Sequence, residues 1–588
     1  MINKGTIQGG SSSQNNGVLI NGNNNTNVTI DNQGSINGKV SGIKNEGKTI
    51  ESLNNTGTIH GGSHYGIYNN VNGVINTLDN SGTISGKESG IELQNGSTIK
   101  TLNNSGTIGS DSTKIGIKLD KSTIENLNNE KSAYIRGIQL VGGSTIKTLE
   151  NSGVIGAHGI QVNGGSKIDS LVNEVGGQIL GSGKGVFFAW NTQVNTFINK
   201  GTIVGEGDYG AIVEFAAKVG NINNSGVINS KSSNWNSAGI YMSGGSFKTI
   251  TNEKSGVILS NKEGIKLSFD NGVGTKGENV VNKGTIIANN SGIQMTNNNV
   301  YLKTLENSGT ILAKFGLYMY DRKTAGANTS STLDNFINSG LIQAGQDGVI
   351  ITTDRDNNSN ANLSIGNINN SGTIIANRHG IVLDDTVKAN IGTIVSSGTI
   401  MGHGTAGSSG IYVSKNSKIN QYIQLSGDKS FVAGIRAGII NYGTIGANNN
   451  NGSLTNDNTG NVIDLKDGAT IAAINNDGKS LYTNNNGIAI LNGGVINGNI
   501  NLNGGSKIIG AIDNKNTIAG NIALNDKSYI TSINNEKTIQ GSIDLKEKSH
   551  IDNIINSGTI VGGIKLDDST IGSITNNKGG KADLDLKN

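Results

Sequence analysis

The 588-residue chain contains no cysteine and no proline, and aromatic residues make up only 4% of it. Without cysteine, neither a disulfide framework nor a thiolate metal site can form. The six histidines are scattered along the sequence, so they do not give the close cluster that a histidine metal site requires. Collagen is excluded because proline and a strict three-residue glycine period are both missing. No apolar run approaches the roughly 18 residues of a membrane-spanning helix.

The chain also has little net charge, with a formal value of +3 at pH 7. This charge gives no field that would attract nucleic acid or an anionic membrane, so we expect no nucleic-acid partner. Glycine and asparagine are abundant instead, with 89 and 90 residues. Disordered chains are usually rich in proline and poor in β-branched residues, whereas isoleucine recurs here at regular spacing. The composition therefore favours a repeat fold.

A short phrase, Asn-Ser-Gly-Thr-Ile or a close variant, returns along the whole sequence. It reads NNTGTI at 54–59, DNSGTI at 79–84, NNSGTI at 103–108 and NSGTI at 556–560. The asparagine before the Ser-Gly recurs at first every 22 to 26 residues, and at the end of the chain every 21 residues. Between Asn224 and Asn370 the spacing stretches to as many as 32 residues. Such a period is the mark of a solenoid or a related repeat architecture.

Each repeat contains three short apolar segments separated by Gly, Asn, Ser or Asp. After Asn80 these segments are GTI at 82–84, GIEL at 90–93 and STIKTL at 97–102. Alternating β-branched and aliphatic residues between turn-forming residues are typical of strands, and no segment shows a sustained helical period. The sequence therefore predicts an all-β fold. We expect a single long right-handed parallel β-helix, or solenoid, with three short strands per coil of about 21–30 residues.

The regularity of the repeats predicts three regions. Residues 1–513 form a β-helix with irregular coils and loop insertions. Residues 514–577 form regular 21-residue β-helix coils, and residues 578–588 form a polar tail. The insertions are polar and rich in Gly, Asn and Ser, and they fall at 322–331, 353–361, 402–409 and 448–461.

The repeated asparagine predicts an amide ladder. Asparagine tolerates turn geometry and can hydrogen-bond to the backbone of its own turn. Amides at one position of successive coils can also hydrogen-bond to one another. We expect this role to be structural and not ligand-binding. The predicted members of the ladder are Asn55, Asn80, Asn104, Asn151, Asn224, Asn307, Asn370 and Asn556.

No combination of residues predicts catalysis, a metal site or a cofactor. Cleavage of a glycosidic bond needs two carboxyl groups a few ångströms apart. The candidate pairs are Asp354 with Asp356, Asp384 with Asp385, and Asp567 with Asp568. The first pair lies in a predicted loop, and the other two follow GIxL strands, where turn carboxylates are common. We therefore expect no enzymatic activity.

The GIxL strands predict a surface stripe. Their Ile and Leu point inward, so the residue between them points outward. Alternation predicts that Tyr241, Tyr318 and Tyr412 are exposed to solvent on one face. The alternative interpretation is that aromatic residues simply suit exposed strand positions. The candidate contact stripe comprises Tyr68, Phe187, Tyr241, Tyr318 and Tyr412.

Runs of NNSGTI, GIxL and STIxxL in a cysteine-free, Asn- and Gly-rich chain resemble the passenger domains of bacterial autotransporters, especially those of campylobacters, helicobacters and fusobacteria. The resemblance extends from Asn3 to about Asn577. It implies secretion through the outer membrane and display at the bacterial cell surface, either anchored there or released. Such passengers often serve adhesion or aggregation. A host glycan, a host protein or a second copy of the solenoid is the partner that the resemblance implies.

The family pattern also includes a signal peptide and a C-terminal outer-membrane barrel. The sequence starts within a repeat, as MINKGTI, without a targeting segment. It ends without the alternating segments of roughly 10 residues that form a barrel. We therefore expect a fragment or a truncated reading frame, with a barrel that this chain does not contain.

These observations predict a surface-displayed or secreted stalk or adhesin with a binding or spacing role and no catalysis. One alternative is a carbohydrate-active β-helix, similar to a tailspike or a polysaccharide lyase, which would need carboxylates clustered on one face. The second alternative is a toxin-type passenger, which would need an amphipathic or apolar insertion segment that the sequence does not show.

Overall fold

A computed structural model describes residues 1–10, 15–21, 28–296, 299–321, 330–353, 362–384, 388–455, 461–477, 480–482 and 487–587. Across these residues the regular structure is entirely β, without a helix. Parallel strands stack as a β-solenoid of about 21 turns, which confirms the predicted fold class. The chain divides into two compact units, Met1–Asn289 and Asn290–Asn588.

Three stacks of parallel strands form the first unit, one for each apolar segment of the repeat. Stack A contains the STIxxL strands, which end at the repeated asparagine. Stack B contains the GTI strands, and stack C contains the GIxL strands. Each strand pairs with its counterparts one turn before and one turn after it.

The strands of the first unit differ mainly in length, which is two to eight residues in most turns. The strands of stack A are Ile2–Asn3, Val28–Asn32, Thr49–Asn55, Val74–Asn80, Thr98–Asn104, Thr123–Asn129, Thr145–Asn151, Lys167–Asn173, Gln193–Asn199, Lys218–Asn224, Ser246–Asn252 and Lys276–Asn282. The strands of stack B are Thr6–Gln8, Ser35–Gly38, Thr58–Gly61, Thr83–Gly86, Thr107–Ile108, Tyr134–Ile135, Val154–Ile155, Gln178–Gly181, Thr202–Gly205, Val227–Ser230, Val257–Ser260 and Thr285–Thr296. The strands of stack C are Val18–Ile20, Ile43–Glu46, Tyr65–Asn70, Ser89–Gln94, Ile115–Asp120, Ile138–Val141, Ile160–Val162, Val186–Phe188, Gly210–Phe215, Ala238–Ser243 and Glu263–Asp270. A short strand, Val273–Gly274, pairs antiparallel with the end of Glu263–Asp270.

The register aligns identical aliphatic residues from turn to turn. Ile75 pairs with Ile50 on one side and with Ile99 on the other, and all three side chains are fully buried. The core of each unit is therefore a set of continuous isoleucine and leucine columns. Because each turn is stabilised mainly by its two neighbours, the repeat must be maintained along the chain.

Glycine is required at the Ser-Gly corner because successive turns approach closely there. A Cβ atom on Gly82 would lie 2.0 Å from the carbonyl oxygen of Gly57, and one on Gly57 would lie 2.0 Å from that of Gly34. No side chain fits such a distance without moving the backbone. The glycine of the repeated phrase thus keeps adjacent turns at strand spacing.

The second unit is built from the same motifs, with several longer strands. Its strands are Tyr301–Asn307, Thr310–Asp321, Ser330–Asn338, Leu341–Thr353, Asn362–Asn370, Thr373–Ala376, His379–Leu383, Lys388–Ser396, Thr399–Gly402, Ser409–Val413, Lys418–Gly434, Ala437–Asn441, Thr444–Thr455, Asn461–Leu465, Thr470–Asp477, Ser480–Tyr482, Ile488–Asn492, Val495–Ile496, Ile500–Asn503, Lys507–Asn514, Thr517–Ile518, Ile522–Leu524, Tyr529–Asn535, Thr538–Ile539, Ile543–Lys546, His550–Asn556, Thr559–Asp567, Thr570–Asn576 and Lys581–Lys587.

Within the second unit the repeat changes its place relative to the stacks. The stack that includes Asn362–Asn370 has asparagine at its ladder position in Asn370, but successive partners further along reach leucine at Leu502 and Leu524. The stack that includes His379–Leu383 changes in the opposite sense, from Leu383 to Asn492. The sequence motif is retained, but it is shifted by one strand around the solenoid between the turns of residues 396 and 492.

In the final turns the ladder asparagines Asn514, Asn535 and Asn556 are 21 residues apart, and the next step, to Asn576, is 20 residues. The segment predicted as a polar tail, 578–588, contains the strand Lys581–Lys587, which pairs in parallel with Thr559–Asp567. Its lysines and aspartates alternate with Ala582, Leu584 and Leu586, so the segment has strand periodicity despite its charge. Of the predicted insertions, 402–409 connects two described strands, whereas most of 322–331 and 353–361 and part of 448–461 lie outside the described residues.

Candidate functional site

The predicted asparagine ladder is present in both units. In the first unit each side-chain amide from Asn3 to Asn252 donates to the side-chain oxygen of the next asparagine at 2.7–2.8 Å. This series includes the predicted members Asn55, Asn80, Asn104, Asn151 and Asn224. The amide nitrogens also approach backbone carbonyls, as Asn80 does with Gly82 and Thr107. These bonds hold the corner together, so the ladder is a structural element.

The second unit contains two ladder segments, which matches the shift of its repeat. Asn307 donates to Asn338, Asn338 to Asn370, and Asn370 to the hydroxyl of Ser396. The other segment lies in the shifted position and runs through Asn492, Asn514, Asn535, Asn556 and Asn576. The predicted members Asn307, Asn370 and Asn556 therefore all belong to ladders, but to two different columns.

The candidate contact stripe is in register within each unit. In the first unit successive turns of stack C place Tyr68, Glu92, Lys118, Gln139, Gln161, Phe187, Val213 and Tyr241 side by side. In the second unit Tyr318, Ile350, Val382 and Tyr412 are partners in the same way. The alignment follows from the parallel register of the GIxL strands.

The expectation that Tyr241 is exposed to solvent is wrong. Tyr241 is only 4% exposed, although its strand neighbours Ile240 and Met242 are buried in the core on the opposite side. It belongs to a separate apolar cluster on the outside of stack C, packed with Val213, Phe187 and Tyr209. Alternation gives the direction of the side chain, but residues from the flanking turns cover it.

We call this surface the aromatic cluster; it comprises Phe187, Trp190, Tyr209, Phe215, Trp235 and Tyr241. Trp190 stacks on Phe215, with ring centroids 6.2 Å apart, and its indole N–H donates to Asp270 at 2.8 Å. Tyr209 stacks on Tyr241 at 5.6 Å. Trp190 and Trp235 are 52% and 64% exposed, and they are the only tryptophans in the chain. The cluster thus has a packed base and two exposed indole rings.

Two lysines contact the aromatic cluster. The Lys184 ammonium lies 4.2 Å from the centre of the Phe187 ring and 5.2 Å from that of Tyr209. Burial lowers the pKa of Lys184. Lys266 donates to the carbonyl of Trp235 at 3.1 Å and lies 5.4 Å from the centre of the Tyr241 ring. Each lysine therefore fixes an aromatic side chain through a cation–π contact or a backbone hydrogen bond.

A buried carboxyl group, Glu214, supports the turn beneath Phe215. It occupies the inward position that Phe188 and Met242 take in the adjacent turns. The carboxyl accepts the backbone N–H of Ser243 at 2.9 Å and that of Ala217, next to Ala216 in the left-handed region at φ +50°. Burial raises the pKa of Glu214 to about 8, against the opposing effect of these N–H donors. Glu214 thus positions the turn that presents Phe215.

A second feature of the same face is a groove of about 300 Å³, which we call the polar groove. It is lined by Tyr65, Glu88, Glu92, Lys114, Ile115, Lys118, Gln139, His158 and Gln161. Its charged side chains are paired: Lys118 with Glu92 at 2.9 Å, and Lys114 with Glu88 at 2.7 Å. Burial raises the pKa of the adjacent Tyr68 to about 12, so its hydroxyl stays protonated and donates to Gln94.

In the second unit the corresponding column forms an apolar row. Phe315, Ile350 and Val382 are buried beneath Tyr318 and Tyr412, which are both partly exposed. Tyr318 stacks on Phe315 at 4.7 Å. Tyr412 lies against His379, with ring centroids 4.9 Å apart. These tyrosines therefore cover an outer apolar layer and only partly face solvent.

The predicted carboxylate pairs give no acid–base arrangement among the described residues. Asp354, Asp356 and Asp385 lie outside them, and Asp567 and Asp568 are exposed turn residues. Over the described part of the chain, no three His, Asp or Glu side chains converge as a metal site would require. The same residues include no helix of the length and apolarity that crossing a membrane requires.

A polar column inside the second unit joins Asp347, His379 and Ser409 on successive turns. Arg378 pairs with the buried Asp347 through two hydrogen bonds of 2.8 and 2.5 Å. The ring nitrogen Nδ1 of His379 lies 2.8 Å from the Ser409 hydroxyl, and both residues are buried. The Asp347 carboxylate accepts the His379 backbone N–H and not a ring nitrogen, so this column does not form a nucleophilic triad.

Sequence reasoning missed Lys184, Tyr209, Phe215 and Trp235 because they lie in turns or at a strand end, outside the GIxL pattern. Lys266 does occupy the outward position of a GIxL strand, and what the pattern did not give is its contact with Tyr241 in the adjacent turn. The local amino-acid composition could have indicated this region. Residues 187–241 contain eight of the 24 aromatic residues, including both tryptophans.

Comparison of the chain with protein-family profiles, curated proteins and solved structures finds no match.

Proposed function

We propose that this protein is a non-catalytic binding solenoid that makes contact through the outer face of stack C in its first unit. The observation that carries the proposal is the aromatic cluster, where both tryptophans are more than half exposed above a packed aromatic base. Exposed aromatic groups on a rigid base are the usual anchors of binding surfaces. The polar groove lies on the same stack and is joined to the cluster by the paired residues Gln161 and Phe187.

The rigidity of this surface supports a binding role. The side chains of the cluster are held by ring stacking, by the Lys184 and Lys266 contacts and by the bond from Trp190 to Asp270. A surface that is ordered before contact loses less conformational entropy on binding. The cluster therefore contributes contact area at low entropic cost, as the aromatic anchors of other interfaces do.

The repeat supports a biological setting for this proposal. A cysteine-free, Asn- and Gly-rich β-solenoid with asparagine ladders is similar to autotransporter passengers, so we place the protein at a bacterial cell surface as an anchored or secreted stalk or adhesin. The candidate partners are a host glycan, a host protein or another copy of the solenoid. The carboxylates of the polar groove are paired with lysines, and this pairing favours binding over acid–base catalysis.

The test compares attachment before and after removal of the exposed indoles. Beads coated at equal density with wild-type protein or with the double variant Trp190→Ala/Trp235→Ala are added to cultured epithelial cells and, separately, to one another. We expect the double variant to lose most attachment or self-aggregation while retaining its circular dichroism spectrum. The control is Tyr301→Ala, which removes a 38%-exposed aromatic ring from the strand Tyr301–Asn307 of the second unit. Equal attachment by all three proteins would refute the proposal.

A further inference from the structure

We infer that the polar groove binds a neutral linear polysaccharide, which lies along stack C and crosses successive turns. This inference rests on the proposed binding role of the same face and specifies its ligand. The groove follows a single column of outward side chains, from Glu92 to Gln161, which is continued in register by Tyr68 at one end and by Phe187 at the other. Six turns at strand spacing give a column about 24 Å long, which suits an extended chain of several sugars.

The charges in the groove favour a neutral ligand. Glu92 is 1% exposed, and its carboxylate accepts bonds from Lys118, Ser89 and Gln94. Lys114 binds both carboxylate oxygens of Glu88, at 3.0 and 2.7 Å. A charged ligand would have to compete with both pairs. Displacing Lys118 is costly because it leaves the buried Glu92 carboxylate without its cation, whereas the Lys114–Glu88 pair is solvent-exposed and resists competition less. A ligand rich in hydroxyl groups can bind without disturbing them.

Two glutamines provide the hydrogen-bonding surface that hydroxyl groups require. The Gln139 amide donates to the Gln161 oxygen at 3.5 Å, the upper limit for such a bond. A side-chain amide has two donor hydrogens and an acceptor oxygen, so this long bond leaves most of their capacity for a ligand. Both residues are partly exposed at the floor of the groove.

Aromatic rings bound the glutamines on either side along the column. Tyr65 packs against Tyr68, with ring centroids 4.8 Å apart and planes tilted by 36°, and lines the groove towards its first turns. Phe187 is the register partner of Gln161 in the next turn. A sugar ring has polar edges and C–H faces, so a line of polar side chains with an aromatic ring at each end suits a saccharide chain.

The arrangement of the backbone argues against an extended peptide as the ligand. Peptides often bind by adding a strand to an exposed sheet edge. The strands that form this face are already paired on both sides within stack C, so their backbone groups are engaged. Recognition at the groove therefore depends on side chains alone, which is the usual situation for a saccharide.

The experiment is calorimetric titration of the whole chain with cellohexaose, laminarihexaose, mannohexaose and chitohexaose, and with hexagalacturonate as the anionic comparison. We expect at least one neutral hexasaccharide to bind, more tightly than its trisaccharide, and binding to weaken at least tenfold in Gln139→Ala/Gln161→Ala. The matched control Gln178→Ala removes an exposed glutamine from stack B and should bind like wild type.

The outcomes separate the inference from the proposed function. If no neutral oligosaccharide binds at millimolar concentration, or hexagalacturonate binds best, the inference is wrong. If a neutral oligosaccharide binds equally to the double glutamine variant, the groove is not its site and the inference is also wrong. The proposed function stands in all these cases as long as Trp190→Ala/Trp235→Ala loses attachment in the bead assay.

Discussion

The Phe215 ring packs edge-on against Tyr241, with ring centroids 5.7 Å apart and planes at 84°. Phe215 ends one strand of stack C, and Tyr241 lies in the middle of the next, so the contact crosses from turn to turn. Tyr209 contacts both rings, at 5.0 Å from Phe215 and 5.6 Å from Tyr241, and together these side chains cover Tyr241 on the outside of the strands. An outward-pointing strand residue is therefore buried by a second apolar layer.

This burial predicts that Tyr241 contributes to stability. Replacing it with serine removes a buried ring, and the loss should be about 3–5 kcal/mol in the free energy of unfolding, as for other buried aromatic side chains. Tyr301→Ser, at an exposed position, should change stability by no more than about 0.5 kcal/mol. Urea unfolding followed by circular dichroism measures both variants. Equal midpoints for the two would show that the aromatic cluster does not pack as described.

The asparagine ladders predict position-dependent losses. Asn307→Ala or Asn370→Ala removes a buried amide and leaves a neighbouring ladder amide without its partner, at a cost of about 1–3 kcal/mol. Asn497 is exposed in a turn, so Asn497→Ala should be nearly neutral. Urea midpoints test this comparison. A loss at Asn497 as large as at Asn370 would remove the ladder as a source of stability.

His379 predicts a loss of stability at acid pH. Burial, followed by the charges of Arg378 and Arg436, lowers its pKa to about 3. Between about pH 6.5 and 3 the unfolded chain takes up a proton that the folded chain does not, so this contribution to stability falls as pH falls. Relative to His379→Gln, wild type should lose a few kcal/mol over this range. Urea titrations at pH 7, 5 and 4 measure the difference, and a constant difference would contradict the predicted effect.

The raised pKa of Glu214, in the first unit, predicts the opposite dependence of stability on pH. Its pKa is raised from 4.5 to about 8, so between these values the folded chain binds a proton that the unfolded chain has released. The stability that this bound proton gives to the folded chain is fully present below pH 4.5 and is lost as pH rises through 8. The stability of wild type should therefore fall relative to Glu214→Gln between pH 5 and 8. If the free energy of unfolding changes equally with pH in the two proteins, Glu214 is ionised in the folded chain and the prediction is wrong.

The fold could be predicted from the sequence because each recurring residue of the repeat has a physical role that can be inferred from its position. Ile75 and its counterparts recur in phase, and the asparagine that ends each stack A strand marks the turn where amides can align. The shift of the repeat between residues 396 and 492 was not predicted. The local motif is unchanged there, and only the pairing between distant turns, such as Ser396 with Leu425, reveals which stack a strand joins.

The candidate site was predicted only in part. Alternation gave the direction of Tyr68, Phe187 and Tyr241, but exposure also depends on residues from the flanking turns. Phe215 reaches the same face from the end of its strand, two residues beyond the outward position of the GIxL pattern, and Trp235 reaches it from a turn. Glu214 holds the turn after Phe215 from inside the core. Such contacts join residues about 25 positions apart, and a pattern read within one repeat does not contain them.

The most direct test of the binding face uses tryptophan fluorescence, because the only two tryptophans both lie in the aromatic cluster. Acrylamide quenching of their emission is measured on bead-bound protein before and after attachment to cells or to a second layer of protein. If the outer face of stack C in the first unit makes the contact, attachment should reduce the quenching constant several-fold. Firm attachment with unchanged quenching would contradict the account, since the exposed indoles would then lie outside the interface.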